Sequence, residues 1–164
     1  MKTRNKIKGI TEGAIIAAIY VVLTYLTNIL GLANGAIQCR LSEAMCVLPV
    51  FTFSAIPGLF IGCLMSNLLT GCAIFDVVFG SIATLIGAYG TYCFRKHGMP
   101  PFLYPLCPVI SNTVIIPFVL KYAYGLSGGI WYFILTVGIG EIISCGILGM
   151  FLYFSLLKKV NIFH

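Results

Sequence analysis

The sequence predicts an all-α integral membrane protein, a bundle of six transmembrane helices that forms one domain over residues 1–164. Of its residues, 60% are hydrophobic and only 9% are charged, whereas a soluble domain carries about 25% charged residues. The apolar residues form long runs, and a helix needs roughly 20 of them to cross the hydrocarbon core. Lipid offers the backbone no hydrogen-bond partners, so only helices and closed barrels cross it, and these runs lack the alternation of barrel strands.

The apolar runs place the helices at about residues 10–32, 41–52, 56–71, 74–94, 102–122 and 129–157. The second segment is the weakest because it is short, with Pro49 near its end and Pro57 just beyond it. Proline removes a backbone donor and bends or ends a helix. We therefore expect a short, broken second helix.

The basic residues predict the orientation of the bundle. They cluster before the first helix, between the two halves of the chain and after the last helix, at Lys2, Arg4, Lys6, Lys8, Arg95, Lys96, Lys158 and Lys159. Basic residues collect on the cytoplasmic side, and an even number of crossings places all three clusters there. We expect both termini to be cytoplasmic. Nucleic-acid binding would instead need a contiguous basic face.

Glu141 is the acidic residue that lies deepest in an apolar run, beside Gly140. An ionisable side chain at such depth costs about 2.5–3.5 kcal/mol and usually faces a cavity or a partner. Glu141 is therefore a candidate ligand-binding or pathway residue, and the alternative is a structural pair.

Glu43 follows Arg40 and Ser42 at the outer start of the second helix. Ser42 as an N-cap, with Glu43 favouring the helix dipole, explains the carboxylate without a ligand, and a ligand role is equally open. Arg40 could pair with Glu43 or bind an anionic ligand. The other two acids have simpler interpretations, Glu12 as a solvated salt bridge and Asp76 as first-turn stabilisation of the fourth helix.

Three further side chains are candidates for the site. Asn67 and Asn112 lie within apolar runs, and a buried amide must find partners on neighbouring helices or on a ligand. Trp131, the single tryptophan, heads the last helix. It is either an anchor at the membrane interface or a platform on which a flat ligand stacks.

The sequence offers no catalytic or metal-binding pattern. It lacks a nucleophile–base pair and a phosphate loop, and its seven cysteines form no C-x-x-C pair, so we interpret them as small hydrophobes. We expect no enzymatic activity, no metal and no cofactor. On the first helix, small residues four apart at 13/17 and 14/18 form strips on which another helix can pack closely.

Taken together, these residues resemble the QueT family, whose members are the substrate-binding S components of energy-coupling factor (ECF) transporters. The resemblance runs from about residue 10 to 157 and is carried by residues 40–44, Leu48-Pro49, 55–63, Asn67-Leu68, 76–81, 83–85, Pro108 with Asn112, and Gly140-Glu141.

The resemblance implies a protein of the bacterial plasma membrane that captures queuosine precursors, which are 7-deazaguanines such as 7-aminomethyl-7-deazaguanine, or queuine. It implies docking on the transmembrane subunit EcfT through Ala14 and Ala18, with ATP hydrolysis on two cytosolic ATPases. It also implies that the loop 33–40 covers the site. We expect Glu141 or Glu43 to read the base edge, Asn112, Asn67 or Arg40 to supply a donor, and Trp131 to stack. The competing interpretation is a self-contained channel or assembly protein in which Glu141 serves conduction or structure.

Overall fold

A computed structural model of the protein describes residues 2–31 and 39–162. All regular secondary structure within those residues is helical. Within the described residues, five α-helical or mixed segments and a long 3-10 helix follow one another along the chain, and a three-residue 3-10 turn, Pro101–Leu103, precedes α4. The segments are α1 (Lys2–Ile29), the 3-10 helix (Leu41–Val50), α2 (Ala55–Leu69), α3 (Ile74–Lys96), α4 (Leu106–Tyr122), and a last helix made of α5 (Ile130–Glu141), π-helical turns (Ile142–Leu148) and α6 (Gly149–Ile162).

Four of these segments are long and apolar enough to cross a membrane, namely Lys6–Ile29, Ile74–Lys96, Pro101–Tyr122 and Ile130–Lys159. Leu41–Val50 and Ala55–Leu69 are shorter apolar helices. Large hydrophobic side chains, among them Val22, Ile61, Phe79, Phe118 and Phe151, are exposed on the outside of the bundle, as a lipid-facing surface requires. Over the described residues, the helical fold and the count of six helices agree with the prediction, and four of the six could span a membrane. That all six cross it, and that both termini are cytoplasmic, stay predictions.

The short second helix is a ten-residue 3-10 helix with Pro49 inside it. Runs of 3-10 helix longer than about four residues are uncommon and often mark a functional segment. At about 2.0 Å per residue it reaches roughly 20 Å, less than the core thickness of about 30 Å. The prediction of Ser42 as N-cap is wrong. Arg40 occupies that position without a side-chain cap bond, and the Ser42 hydroxyl lies 2.8 Å from that of Thr24.

The last helix changes to π-helical geometry over Ile142–Leu148, directly after Glu141. Such turns are rare and are frequently found at functional sites. The 3-10 helix packs against this segment and against α1, α3 and α6. The two least regular stretches of the fold thus meet at one place in the bundle interior.

Small residues bring α1 and α2 into close contact. A Cβ added to Gly58 would lie 2.7 Å from the carbonyl oxygen of Gly13, and one added to Gly62 would lie 3.1 Å from the Cα of Ala17. The 13/17 strip of α1 therefore packs on the 58/62 strip of α2 inside the chain. Ala14 and Ala18, one residue further along, are exposed.

We expect Gly62→Ala to destabilise the bundle by about 1–3 kcal/mol, the usual cost of overpacking, because backbone atoms of α1 cannot yield as a side chain can. Thermal unfolding in detergent measures this. Gly138→Ala is the matched control, since its Cβ would meet Thr113 only at 3.5 Å and alanine favours a helix by roughly 0.5–1 kcal/mol. Equal melting temperatures for the two variants would contradict close α1–α2 packing.

Candidate ligand-binding site

Buried polar side chains gather where the 3-10 helix meets α3, α4 and the π-helical turns. Glu43, Asn67, Asp76, Asn112 and Glu141 are all buried. Each lies on a different helix, so the site forms only when the whole bundle is assembled. Such residues are costly in a membrane interior unless they are paired or face a cavity. All five are hydrogen-bonded here, and all but Asp76 line a cavity.

Glu43 is held by donors from three other residues. Its carboxylate accepts a hydrogen bond from the Tyr20 hydroxyl of α1, one from the Cys46 thiol at 3.1 Å, and a longer one from the Asn112 amide at 3.5 Å. The side chain is 2% exposed. These donors fix the orientation of the Glu43 carboxylate before any ligand binds. The helix-dipole interpretation of Glu43 did not predict such contacts.

Glu141 is less engaged than Glu43. It is 8% exposed, and among the described residues its carboxylate accepts a hydrogen bond from the Cys145 thiol at 3.2 Å. A carboxylate has about four lone-pair sites, so Glu141 retains acceptor capacity for a ligand.

Glu43 and Glu141 line the same small cavity, which we call the inner cavity. Its volume is about 20 Å³, and its walls are Arg40, Glu43, Gly80, Thr84, Asn112, Ile116, Val137 and Glu141. That volume suits one water molecule. A bicyclic ligand would enter only if the walls move apart.

A larger space, the outer cavity, adjoins it through Arg40. It has a volume of about 320 Å³ and is lined by Thr24, Thr27, Asn28, Arg40, Asn67, Thr70, Gly71, Cys72, Leu120, Tyr124 and Leu126. Ligand pockets commonly measure about 300–1,000 Å³, so this cavity already has the size of a small-molecule site. Since Arg40 lines both cavities, its side chain forms the boundary between them.

Arg40 pairs with Asp76 rather than with Glu43. Its Nη2 lies 3.6 Å from Oδ2 of Asp76, and its Nη1 donates to Oδ1 of Asn67 at 3.4 Å. Asp76 is 4% exposed, so first-turn dipole stabilisation, which the sequence favoured, describes only part of its role. The side chain belongs to the buried polar site.

Other predicted residues lie elsewhere. Trp131 is 76% exposed on the outside of the bundle and lines neither cavity. The structure thus does not bring a tryptophan platform to the site, and the position of Trp131 fits the interface-anchor interpretation.

Glu12 lies 3.8 Å from Lys8 in an exposed ion pair. The predicted lid, residues 33–40, lies mostly outside the described residues, but at its end the Cys39 thiol is 3.2 Å from the Ser144 hydroxyl.

Sequence reasoning missed two residues of the site, one of which, Tyr20, donates to the Glu43 carboxylate. Tyr20 is fully buried, and Thr84 lines the inner cavity. Tyrosine and threonine are common in membrane helices, so no local pattern marks them. Asp76 could have been found, because it is one of only four acids in the chain.

Three of these side chains could also hold a metal ion. One ligand atom each of Glu43, Cys46 and Cys145 lies within 4.8 Å of the others, and all three residues are buried. Thiolate and carboxylate ligands suit Zn²⁺. Thiol-to-carboxylate hydrogen bonds account for the same arrangement without an ion, and two of the seven cysteines, Cys46 and Cys145, thus serve as buried donors to Glu43 and Glu141.

A helical bundle with a lipid-facing exterior, four helices long enough to span a membrane and a buried, carboxylate-lined cavity is a multi-pass membrane protein with a polar interior site. Its family follows from sequence comparison. A sequence model described as "QueT transporter" matches residues 10–158, and the chain therefore belongs to the QueT transporter family. The family is described as one of transporters.

A curated relative shares part of the chain. The queuosine precursor transporter QueT of Lactococcus lactis subsp. cremoris (strain MG1363) is 35% identical over 83 residues, which cover 51% of this chain and 48% of the relative. The match thus spans about half the length of that protein. No solved structure matches the chain.

Proposed function

We propose that this protein binds a queuosine precursor, a 7-deazaguanine such as 7-aminomethyl-7-deazaguanine, or queuine, as the S component of an ECF transporter. The observation that carries the proposal is the pair of buried carboxylates, Glu43 and Glu141, in the wall of one cavity. The family match and the name of the Lactococcus relative support the same ligand class.

The recognition chemistry follows from the edge of the base. A 7-deazaguanine presents its ring N–H and its exocyclic amine side by side, and one carboxylate can accept both. Glu141 suits this role because Cys145 uses only part of its acceptor capacity. Asn112, beside Glu43, offers an amide donor to the ring carbonyl.

The faces of the ring need apolar neighbours, and Trp131 does not supply one. Ile116 and Val137 line the inner cavity with the two glutamates. We propose that they contact the faces of the base, which gains by leaving water at about 25 cal/mol per Å² of apolar surface buried. Because the inner cavity has room for one water-sized group, binding requires the outer and inner cavities to merge around Arg40.

The proposed energy source is a separate ATPase module. We propose that Ala14 and Ala18 form the contact with EcfT, because they are exposed while the neighbouring 13/17 strip is already occupied by α2. With both termini in the cytoplasm, the cavity-bearing end of the 3-10 helix faces outward, which suits capture from outside the cell.

A binding titration on purified protein tests the proposal directly. We expect 7-aminomethyl-7-deazaguanine or queuine to bind at least about tenfold more tightly than guanine, since guanine lacks the substituent that would occupy the outer cavity; a tenfold ratio corresponds to about 1.4 kcal/mol. Measurement by calorimetry or fluorescence quenching suffices. The absence of binding by every deazaguanine, with the protein folded, would favour a channel or an assembly protein in which Glu141 has a conduction or structural role.

A further inference from the structure

One carboxylate oxygen of Asp76 accepts no hydrogen bond from the described residues. Its Oδ2 accepts a hydrogen bond from the Tyr124 hydroxyl at 3.0 Å and faces Arg40. Its Oδ1 is buried and has no hydrogen-bond partner among residues 2–31 and 39–162. Buried acceptors are nearly always satisfied, so Oδ1 needs a donor from beyond the described residues, such as water or a ligand.

Asp76 itself lines neither cavity, but its unused oxygen lies beside residues that line each of them. A Cβ added to Gly80 would be 3.1 Å from Oδ1 of Asp76 and 3.2 Å from Nδ2 of Asn67. Gly80 lines the inner cavity, whereas Asn67 lines the outer one. A larger residue at position 80 would fill the space in front of Oδ1. A ligand that extended from the inner cavity past Gly80 toward Asn67 would come close to Oδ1 of Asp76.

The charge around the two cavities is unbalanced. Three buried carboxylates, those of Glu43, Asp76 and Glu141, are accompanied by one guanidinium, that of Arg40. Within the described residues the salt bridges are Arg40–Asp76 and the distant Lys8–Glu12. Ionised, the site carries three negative charges and one positive charge, an excess of two. Burial of unpaired charge is costly, and the neutral ring of a deazaguanine cannot offset it.

We propose that the ligand carries a positively charged amine on its ring substituent, and that Asp76 binds this amine through Oδ1. The inference rests on the proposed function. With the ring edge on Glu141, the substituent extends past Gly80 toward the outer cavity, where Thr24, Thr27 and Asn28 offer polar groups to anything the amine carries further. The cation relieves the charge imbalance and satisfies the unused oxygen in a single contact.

Two probes with the same ring separate charge from shape. They are 7-aminomethyl-7-deazaguanine, a cation, and 7-cyano-7-deazaguanine, which is neutral. We expect the wild-type protein to bind the amine about 10- to 100-fold more tightly, the range for a hydrogen bond to a charged group. Asp76→Asn should abolish that preference while the affinity for the nitrile changes by no more than about twofold. Glu12→Gln, which removes a carboxylate that lines neither cavity, is the control and should alter neither affinity.

Equal affinity of the two probes for the wild-type protein would overturn the inference, since it would mean that a site carboxyl holds a proton in place of a ligand cation. An equal loss for both probes in Asp76→Asn would also overturn it and reduce Asp76 to a partner of Arg40. The ratio of the affinities of the wild-type protein for the two probes shows whether a ligand cation is preferred, even if Asp76→Asn does not fold. Failure of the proposed function gives a different result, in which neither probe binds better than guanine.

Discussion

Replacing Glu141 by glutamine should weaken binding of a 7-deazaguanine by about 10- to 100-fold. Glutamine keeps the size of the side chain but can accept a hydrogen bond only at its oxygen, so one of the two parallel donors of the base edge would face an N–H group. A hydrogen bond to a charged group contributes about 1.5–3 kcal/mol, which gives that range at 1.4 kcal/mol per tenfold change. A titration of the purified variant measures the loss.

Glu43→Gln is the informative comparison because Glu43 is held more firmly. Its carboxylate accepts hydrogen bonds from Tyr20, Cys46 and Asn112, whereas Glu141 accepts one from Cys145. We expect Glu43→Gln to lower the melting temperature as well as the affinity, and Glu141→Gln to lower mainly the affinity. Unchanged affinity in both folded variants would rule out a carboxylate that reads the base edge.

The helices were predictable from sequence because membrane insertion depends on the mean hydropathy of a long segment. The composition of each apolar run gives that quantity directly. The weak second segment was also recognisable, since Pro49 and its short length limit any helix there. Its 3-10 geometry was not, because that form depends on how the segment packs against α1, α3 and the π-helical turns. Likewise, nothing in the residues around Glu141 marks the start of the π-helical turns.

The site was predicted in part, and the errors have a common cause. Glu43, Glu141, Asn112 and Arg40 line the inner cavity, and each was a polar residue within or beside an apolar run. Trp131 and Asp76 were harder, because a residue near the end of a helix can face lipid, water or a neighbouring helix. Only the rotation of each helix in the bundle decides this, and the sequence of one chain does not report that rotation.

The same uncertainty in rotation affected the small residues of α1, where two strips overlap. The structure resolves the overlap, since Gly13 and Ala17 contact α2 while Ala14 and Ala18 are exposed. A pair of exposed small residues four apart gives another helix a flat surface for close approach. This leaves the 14/18 strip available for a partner subunit.

For the proposed ECF assembly, we therefore expect Ala14→Trp or Ala18→Trp to weaken docking and lower uptake while the isolated protein still binds its ligand. The indole would separate α1 from the partner helix, and overpacking of about 1–3 kcal/mol weakens docking by roughly 5- to 150-fold per substitution. Co-purification with the ATPase module measures docking, and a titration measures binding. Ile86→Trp, on an exposed face of α3, is the control and should leave docking intact. Normal uptake and co-purification in both alanine variants would show that the 14/18 strip faces only lipid, whereas loss of ligand binding in the isolated variants would mean that it supports the bundle itself.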